Sequence, residues 1–205
     1  MTLNDRSTTL LLLETRRSGR PREMVAPGPS EAELECILAI AARTPDHGKL
    51  FPWRFVTVAS DRRAALADLL VKALPEADPA AGPAHVQKAL DFAHQAPCLV
   101  VLVAAPVADH KIPLWEQQLS VGAAGMNLLI AAHALGYVGG WITGWAAYNE
   151  RVRAAFCGPG ERIAGFMFLG SPGRELEERQ RAPLATLVRP WDPTRRLISG
   201  RAAVL

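Results

Sequence analysis

A short arginine-rich segment, Arg16 to Pro21 (RRSGRP), has the residue types of a phosphate-binding site. Pro21 favours an extended conformation at Arg20, and alternate residues of an extended segment face the same way, so Arg16, Ser18 and Arg20 are expected to share one side. A guanidinium group offers phosphate a rigid, permanently charged fork, and a serine hydroxyl adds a neutral hydrogen bond. The same residues could instead form the solvated basic end of a preceding helix, where they complement its dipole.

A second polar segment, between Arg43 and Trp53, brings Arg43, His47 and Lys49 close to an aromatic residue in the chain. Cations of this kind can hold an electron-rich ring, because they stabilise negative charge that develops on it. An exposed turn in which Asp46 caps its own backbone explains the segment equally well.

A third candidate is the glycine-rich stretch 138–145, VGGWITGW. Its glycines would let the backbone approach a flat ligand, with Trp141 or Trp145 covering that ligand; ordinary strand packing is the alternative. Asp109 and His110 are adjacent, and in an extended chain they point in opposite directions, which favours a turn over an acid–base pair. No two histidines have metal-ligand spacing, and no GxGxxG follows a strand, so neither a metal site nor a Rossmann site is expected.

Composition excludes several classes of protein. Apolar residues make up 49% of the 205 residues and charged residues 21%, as in a globular domain. The net charge is only +3 and no basic run is long enough to follow a nucleic-acid backbone. The three cysteines form no CxxC pair, which favours a reducing cytoplasm. The uncharged stretch 119–148 could span a bilayer, but its Gly and Ala content and its lack of flanking basic clusters favour a buried helix and strand.

The order of the predicted elements indicates an α+β fold, with a sheet flanked by helices. Helices are predicted at residues 8–15, 30–43, 61–73, 84–94, 119–135 and 149–156, and strands at 55–59, 98–103, 138–143 and 163–169, with a loop at 75–83. Ser30 and Glu33 form a capping box. The apolar run 98–103 predicts a central strand, and helix 119–135 should be buried on all sides, within the domain or in a subunit interface.

Taken together, these segments resemble the FMN-dependent nitroreductase family, in particular its minimal, YdjA-like branch. The resemblance spans residues 10–191, and residues 192–205 form an extension outside it. It rests on the order of five motifs: Arg16-Arg17-Ser18, Arg43-x-Pro45-Asp46-His47 with Pro52-Trp53, His110-Lys111-x-Pro113-x-Trp115-Glu116-Gln117, Gly139-Gly140-Trp141 with Gly144, and Gly165-Phe166-x-x-Leu169-Gly170-x-Pro172.

The resemblance implies a central mixed or antiparallel sheet in a single domain, residues 1–191, and an intertwined homodimer with FMN at the subunit interface. Arg16, Arg17 and Ser18 would bind the FMN phosphate, with Arg20 as a helper and Arg189 as a further contact. The remaining site residues fall into two groups: Arg43 and His47, which would reach the flavin from the neighbouring subunit, and Trp141, Ile142 and Thr143, which would line the ring.

The implied activity is hydride transfer from NADH or NADPH, through flavin N5, to a nitroaromatic or quinone-like small molecule. The same fold could use FMN for dehalogenation, flavin breakdown or reduction of an unsaturated bond, or bind flavin without catalysis. Two departures bear on that choice: Phe51 stands where many relatives have Gln, and Ile142 stands where the YdjA-like pattern has Arg. Both remove polar groups near the ring, so acceptor choice cannot be carried over from the family.

Overall fold

The fold is built on a five-stranded sheet, seen in a computed structural model that describes residues 2–193. The strands are β1 (Met24–Val25), β2 (Trp53–Thr57), β3 (Cys98–Ala104), β4 (Val138–Ile142) and β5 (Arg162–Pro172). Every pairing among them is antiparallel: β5 pairs with β1, β3 and β4, and β3 also pairs with β2. The predicted central strand is confirmed, whereas residues 194–205 of the predicted extension lie outside the described part.

Seven helices accompany the sheet in the described part of the chain: α1 (Thr9–Thr15), α2 (Glu31–Ala41), α3 (Arg63–Ala77), α4 (Pro83–His94), α5 (Leu114–Ala134), α6 (Glu150–Phe156) and α7 (Leu184–Leu187). Alternate residues of β3 face opposite sides of the sheet. Val100 and Leu102 pack towards α2 and α5, and Leu99 and Val101 pack towards α3, α4 and α6. The result is an α+β domain with helices on both faces of the sheet.

The predicted capping box starts α2 and also ties that helix to β4. The Ser30 hydroxyl accepts a hydrogen bond from the Glu33 N–H at 3.3 Å, and the Glu33 carboxylate accepts from the Ser30 N–H at 2.9 Å. The Tyr137 hydroxyl, one residue before β4, donates to the same carboxylate at 2.9 Å. These donors, the Ser30 side chain first, lower the pKa of Glu33 and keep it charged.

Two predicted helix boundaries differ from the structure by more than two residues. The predicted loop at 75–83 begins too early in the sequence, because α3 continues through Pro75 to Ala77. The buried residues Ala73 and Leu74 hold the last turn of α3 on the core. The long helix α5 begins at Leu114 rather than at residue 119, and it is not buried on all sides within one chain, since Trp115 and Leu119 are exposed. Among residues 2–193, no helix has both the length and the apolar character needed to cross a membrane.

A buried arginine joins three elements behind the sheet. The Arg63 side chain, with a residue exposure of only 5%, donates hydrogen bonds to the carbonyls of Val58 at 3.2 Å, Ala93 at 2.9 Å and Gln95 at 3.3 Å. It thereby satisfies carbonyl groups at the end of α4. Burial lowers the pKa of the Arg63 guanidinium, because the charged form loses its hydration.

Replacing Arg63 by methionine is expected to lower the free energy of unfolding by about 2–4 kcal/mol, because one buried and two partly buried carbonyls lose their donor while the apolar stem is kept. Urea denaturation measures the change. The control is Arg62→Met, since the neighbouring Arg62 is exposed and its ion pair with Asp61 is a surface contact worth about 1 kcal/mol or less. Equal urea midpoints for the two variants would show that Arg63 contributes no more than a surface arginine.

Candidate functional site

The segment 16–21 leaves α1 as an extended chain, as its sequence predicts. Arg16 and Ser18 lie on the same side, with Arg16 Nη1 donating to Ser18 Oγ at 3.4 Å. The backbone is held on both sides. Asn4 Oδ1 accepts from the Arg17 N–H at 2.7 Å, and the Gly139 carbonyl accepts from the Gly19 N–H at 3.1 Å.

Glycine at position 140 lets the segment lie directly against β4. A Cβ at Gly140 would lie 2.9 Å from the Gly19 carbonyl oxygen and 3.3 Å from the Pro21 ring. Any larger residue would push the two backbones apart. The sequence suggests that the glycines of this stretch allow close approach to a ligand. Gly140 instead allows the close approach of one chain segment to another.

Arg20 points away from the pair formed by Arg16 and Ser18, whereas Arg17 lies beside it, with Nη1 donating to the Ser18 carbonyl at 3.1 Å. Arg17 Nε donates to the Glu177 carbonyl at 2.8 Å. Arg20 Nη1 donates to the Glu23 carboxylate at 3.2 Å, and its Nη2 lies 3.8 Å from a Glu177 carboxylate oxygen. The structure thus brings two of the three predicted residues of the same side together and directs Arg20 towards carboxylates.

Arg181 is a functional candidate that the sequence did not reveal. Its Nη2 donates to the Arg16 carbonyl at 3.3 Å and to Glu178 Oε1 at 3.0 Å, across a sequence separation of 165 residues to Arg16. Burial, and then the like charges of Arg181 and Arg17, lower the pKa of Arg16, with Glu178 opposing them. This arginine cluster, formed by Arg16, Arg17 and Arg181 around Ser18, favours an anion. Arg189, the contact expected from the resemblance, is exposed.

A cavity of about 730 Å³ lies where the segment ends, between the turn Pro21–Glu23, α4 and the end of β4. Its apolar walls include Pro21, Met24, Phe92, Ile142 and Trp145, and its polar lining includes Arg22, Lys88 and Thr143. This volume is within the range of small-molecule and cofactor sites, about 300–1,000 Å³. The mixture of apolar walls and a few polar groups suits a flat heteroaromatic ring.

The three ring-lining residues expected on β4 do not share one surface. Ile142 and Thr143 line the cavity. Trp141 lies on the opposite face of the sheet, because neighbouring strand residues alternate. Its Nε1 donates to the Ala164 carbonyl at 3.0 Å, and its indole occupies the space that a Cβ at Gly125 of α5 would need.

Arg43 and His47 lie on a different surface of the chain. Both are exposed, and neither is among the residues, all within 2–193, that line the 730 Å³ cavity. His47 Nδ1 lies 2.7 Å from a Glu116 carboxylate oxygen, which ties its loop to the first turn of α5. One chain therefore does not bring these two residues to the arginine cluster or to the cavity.

The loop that carries His47 is held in a strained conformation. Lys49 and Phe51 have φ values of 55° and 50°, in the left-handed region that non-glycine residues rarely adopt. Asp46 Oδ2 accepts from the Phe51 N–H at 2.8 Å and holds this geometry. The Phe51 ring is 65% exposed. Strain that fixes an exposed aromatic residue is a common mark of a functional surface.

An apolar stripe along the outer face of α5 adjoins this loop. Trp115 is 67% exposed and Leu119 is 54% exposed, and Leu114 continues the stripe. Large apolar side chains grouped at the surface mark interfaces with other molecules. The stripe and the His47 loop therefore form one surface suited to a protein partner.

A fully buried histidine, His133, lies between α5 and β4. Its Nε2 accepts a hydrogen bond from the Gly139 N–H at 3.2 Å, and its Nδ1 has no partner among residues 2–193. Burial first, and the charge of Arg16 second, lower the pKa of His133 from its ordinary value of 6.5 to about 4. The ring is therefore neutral at physiological pH. Residues 2–193 contain no group of three or more His, Cys, Asp or Glu placed to hold a metal ion.

This shift makes the stability of the protein depend on pH. Between pH 6.5 and 4 the unfolded chain binds a proton at His133 that the folded chain does not bind, so the free energy of unfolding falls as the pH falls. From pH 7 to pH 5 the protein should lose about 2 kcal/mol more than His133→Gln does. Urea denaturation of both proteins at the two pH values measures this difference, and equal losses would show that His133 is not buried as a neutral group.

The sequence of this chain matches known proteins of one family. The model of the nitroreductase family matches residues 13–171. A candidate NAD(P)H nitroreductase of Haemophilus influenzae is 37% identical over 173 residues, which cover 83% of this chain and 91% of that protein. A second candidate NAD(P)H nitroreductase, YdjA of Escherichia coli, is 34% identical over 164 residues, covering 80% of this chain and 87% of that protein.

Solved structures show the same fold at lower identity. A nitroreductase-like family protein from Bacillus cereus superposes with a TM-score of 0.79 at 20% identity, covering 91% of this chain and 97% of that chain. A nitroreductase with bound FMN from Bacteroides fragilis gives a TM-score of 0.65 at 20% identity, covering 90% and 98% of the two chains. The family match and the two sequence relatives together show that this chain belongs to the nitroreductase family.

Proposed function

We propose that this protein is an FMN-dependent NAD(P)H oxidoreductase that works as a homodimer. The observation that carries the proposal is the arginine cluster around Ser18, joined by one extended segment to the 730 Å³ cavity. Pro21 lines the cavity, and Ser18 precedes it by three residues. In extended chain this is roughly 10 Å, a span that the ribityl chain between a phosphate and a flavin ring can cover.

The phosphate would be held by Arg16, Arg17 and Ser18, with Arg20 as a helper, and Arg181 joins them. Arg16 is suited to this role because its side-chain hydrogen-bond partner is the neutral Ser18 hydroxyl, and the cations Arg17 and Arg181 outweigh the carboxylate of Glu178 around it. A dianionic phosphate would relieve that repulsion and accept charge-assisted hydrogen bonds. Arg20 would have to exchange its carboxylate partner Glu23 for the phosphate.

The ring would occupy the cavity. When bound, FMN would supply the redox chemistry: hydride would go from NADH or NADPH to N5, and from N5 to an acceptor. The chain's own residues bind and orient: Met24, Phe92 and Ile142 exclude water from the ring, and Thr143 offers a polar group at its edge. A cation is needed where negative charge develops at the N1–O2 edge, and Arg43 or His47 is our candidate. Trp141 supports the strand from behind.

The partner subunit would complete the site. In the single chain Arg43 and His47 lie outside the cavity, so a role at the flavin requires that they come from the second copy. The apolar stripe on α5 lies beside them and supplies a surface for that contact. A ring bound where two chains meet would then be enclosed by both.

The names of the two sequence relatives, which contain NAD(P)H and nitroreductase, support NAD(P)H as donor and a nitro compound as acceptor. We propose a nitroaromatic or quinone-like small molecule as acceptor. We also place the protein in the cytoplasm, a prediction supported by three free cysteines, Cys36, Cys98 and Cys157. Ile142 lines the cavity, and together with Phe51 of the second copy it would make the ring environment more apolar than the family pattern does.

Anaerobic titration tests this function. Protein loaded with FMN should lose its yellow colour on addition of NADH or NADPH, and regain it on addition of a nitroaromatic or a quinone. Colour that neither nicotinamide removes would contradict the oxidoreductase and favour a flavin-binding protein without this activity. If NADH or NADPH removes the colour but neither acceptor restores it, the proposed electron donor is correct and the proposed acceptor is wrong. That result would favour dehalogenation or reduction of an unsaturated bond.

A further inference from the structure

The buried His133 accepts a hydrogen bond from a backbone N–H on the edge of β4 that has no neighbouring strand. In an antiparallel strand the N–H and C=O of one residue point to the same edge. At Gly139 both point away from β5: the N–H donates to His133 Nε2 at 3.2 Å, and the carbonyl accepts from the Gly19 N–H at 3.1 Å. An imidazole and a backbone amide therefore take the place of a neighbouring strand.

The close approach at Gly139 depends on the absence of a side chain there. A Cβ at this position would lie 2.5 Å from a Leu129 methyl carbon and 3.8 Å from His133 Nε2. The backbone of β4 therefore lies close against α5 at Gly139, and the imidazole is the acceptor of its buried N–H. An unpaired buried N–H is costly, so His133 holds this peptide group in one orientation.

We propose that His133 is a positioning residue for the phosphate-binding segment: its imidazole fixes Gly139, and Gly139 in turn fixes Gly19 beside Arg16 and Ser18. The hydrogen bonds run in one line from the end of α5 through β4 to residues 16–21. The proposal rests on the proposed function only where it concerns the phosphate. The coupling between His133 and Gly19 is a property of the chain alone.

The tautomer of the ring follows from the same contacts. Because Nε2 accepts, the single proton of the neutral imidazole is on Nδ1. Protonation of Nε2 would place two donors face to face at Gly139. The positive charge of Arg16 opposes this protonation, and thereby preserves the contact that orders its own segment.

Two substitutions separate the acceptor from the volume of the side chain. His133→Leu fills the space without an acceptor, whereas His133→Gln can place an amide oxygen near the position of Nε2. Amide hydrogen exchange in the flavin-free protein should become about tenfold faster at both Gly139 and Gly19 in His133→Leu, as expected for one lost buried hydrogen bond. His133→Gln should restore most of the protection.

Ligand affinity is the second readout. The Kd for FMN should rise about tenfold in His133→Leu, while the Kd for riboflavin, which has no phosphate, should change less than about twofold. Unchanged exchange at Gly19 in His133→Leu would overturn the proposal. Faster exchange at Gly19 with an unchanged Kd for FMN would support the coupling and refute the assignment of phosphate to residues 16–21.

A measurement on the unsubstituted protein covers the case in which His133→Leu fails to fold. Nitrogen NMR of the histidine rings reports which ring nitrogen carries the proton. We expect Nδ1 to be protonated and Nε2 to be unprotonated from pH 6 to pH 8. A proton on Nε2 would exclude its role as acceptor and overturn the proposal.

Discussion

Replacing Arg16 by alanine is expected to weaken FMN binding by about 2–5 kcal/mol, the cost of removing one partner from a buried charged pair. This corresponds to at least a thirtyfold rise in Kd, at about 1.4 kcal/mol for each factor of ten. Arg16 is half-buried and its guanidinium lies beside the Ser18 hydroxyl, so its loss removes one charge-assisted donor at that point while Arg17 and Arg181 remain. Equilibrium dialysis against FMN measures the change.

Two controls make the result specific to the phosphate. Arg62→Ala removes an exposed arginine outside the arginine cluster and should leave the Kd unchanged. Riboflavin should bind the Arg16→Ala variant and the unsubstituted protein with similar affinity, because it has no phosphate to lose. If Arg16→Ala keeps its FMN after dialysis, the phosphate lies elsewhere.

Replacing Leu119 by arginine is expected to separate the subunits and to release flavin with them. Burying a leucine in an interface contributes about 1.5–3 kcal/mol, and a buried unpaired guanidinium adds a cost of several kcal/mol. In a twofold dimer each substitution acts on both sides of the interface. Size-exclusion chromatography with light scattering measures the mass, and visible absorbance measures the flavin in the same peak.

The matched control for this variant is Ala64→Arg, which adds the same side chain to an exposed position on α3. It should stay dimeric and yellow. A Leu119→Arg protein that remains a flavin-loaded dimer would show that the stripe on α5 is not the subunit interface, and would remove the argument that brings Arg43 and His47 to the flavin.

The elements that the sequence predicts well are those whose signal is local. The apolar run 98–103 specifies a strand covered on both faces, and Ser30 with Glu33 specifies the start of α2. The end of α3 was missed because Pro75 is a local signal for a break, whereas the buried packing of Leu74 is a tertiary effect. The exposure of α5 could not be predicted either, because the sequence of a uniformly apolar helix is the same whether the helix packs in the core of its own chain or against a partner subunit.

The same distinction explains the site. Arg16 and Ser18 lie on the same side because alternation in an extended segment is a local rule. Arg181 contacts Arg16 across 165 residues of sequence, and no local spacing predicts a contact of that kind. The turn that begins at Pro21 brings Glu23 to Arg20. The consecutive residues Trp141 and Ile142 were grouped by their motif, yet a strand must send them to opposite faces.

The central claim is that two copies of this chain enclose FMN, and sedimentation velocity followed at both the protein and the visible flavin absorption tests it most directly. After incubation with FMN and removal of the excess, we expect the flavin absorption to sediment with a species of twice the 22.1 kDa chain mass. Colourless protein that sediments at 22.1 kDa, with all the flavin left behind, would contradict the account.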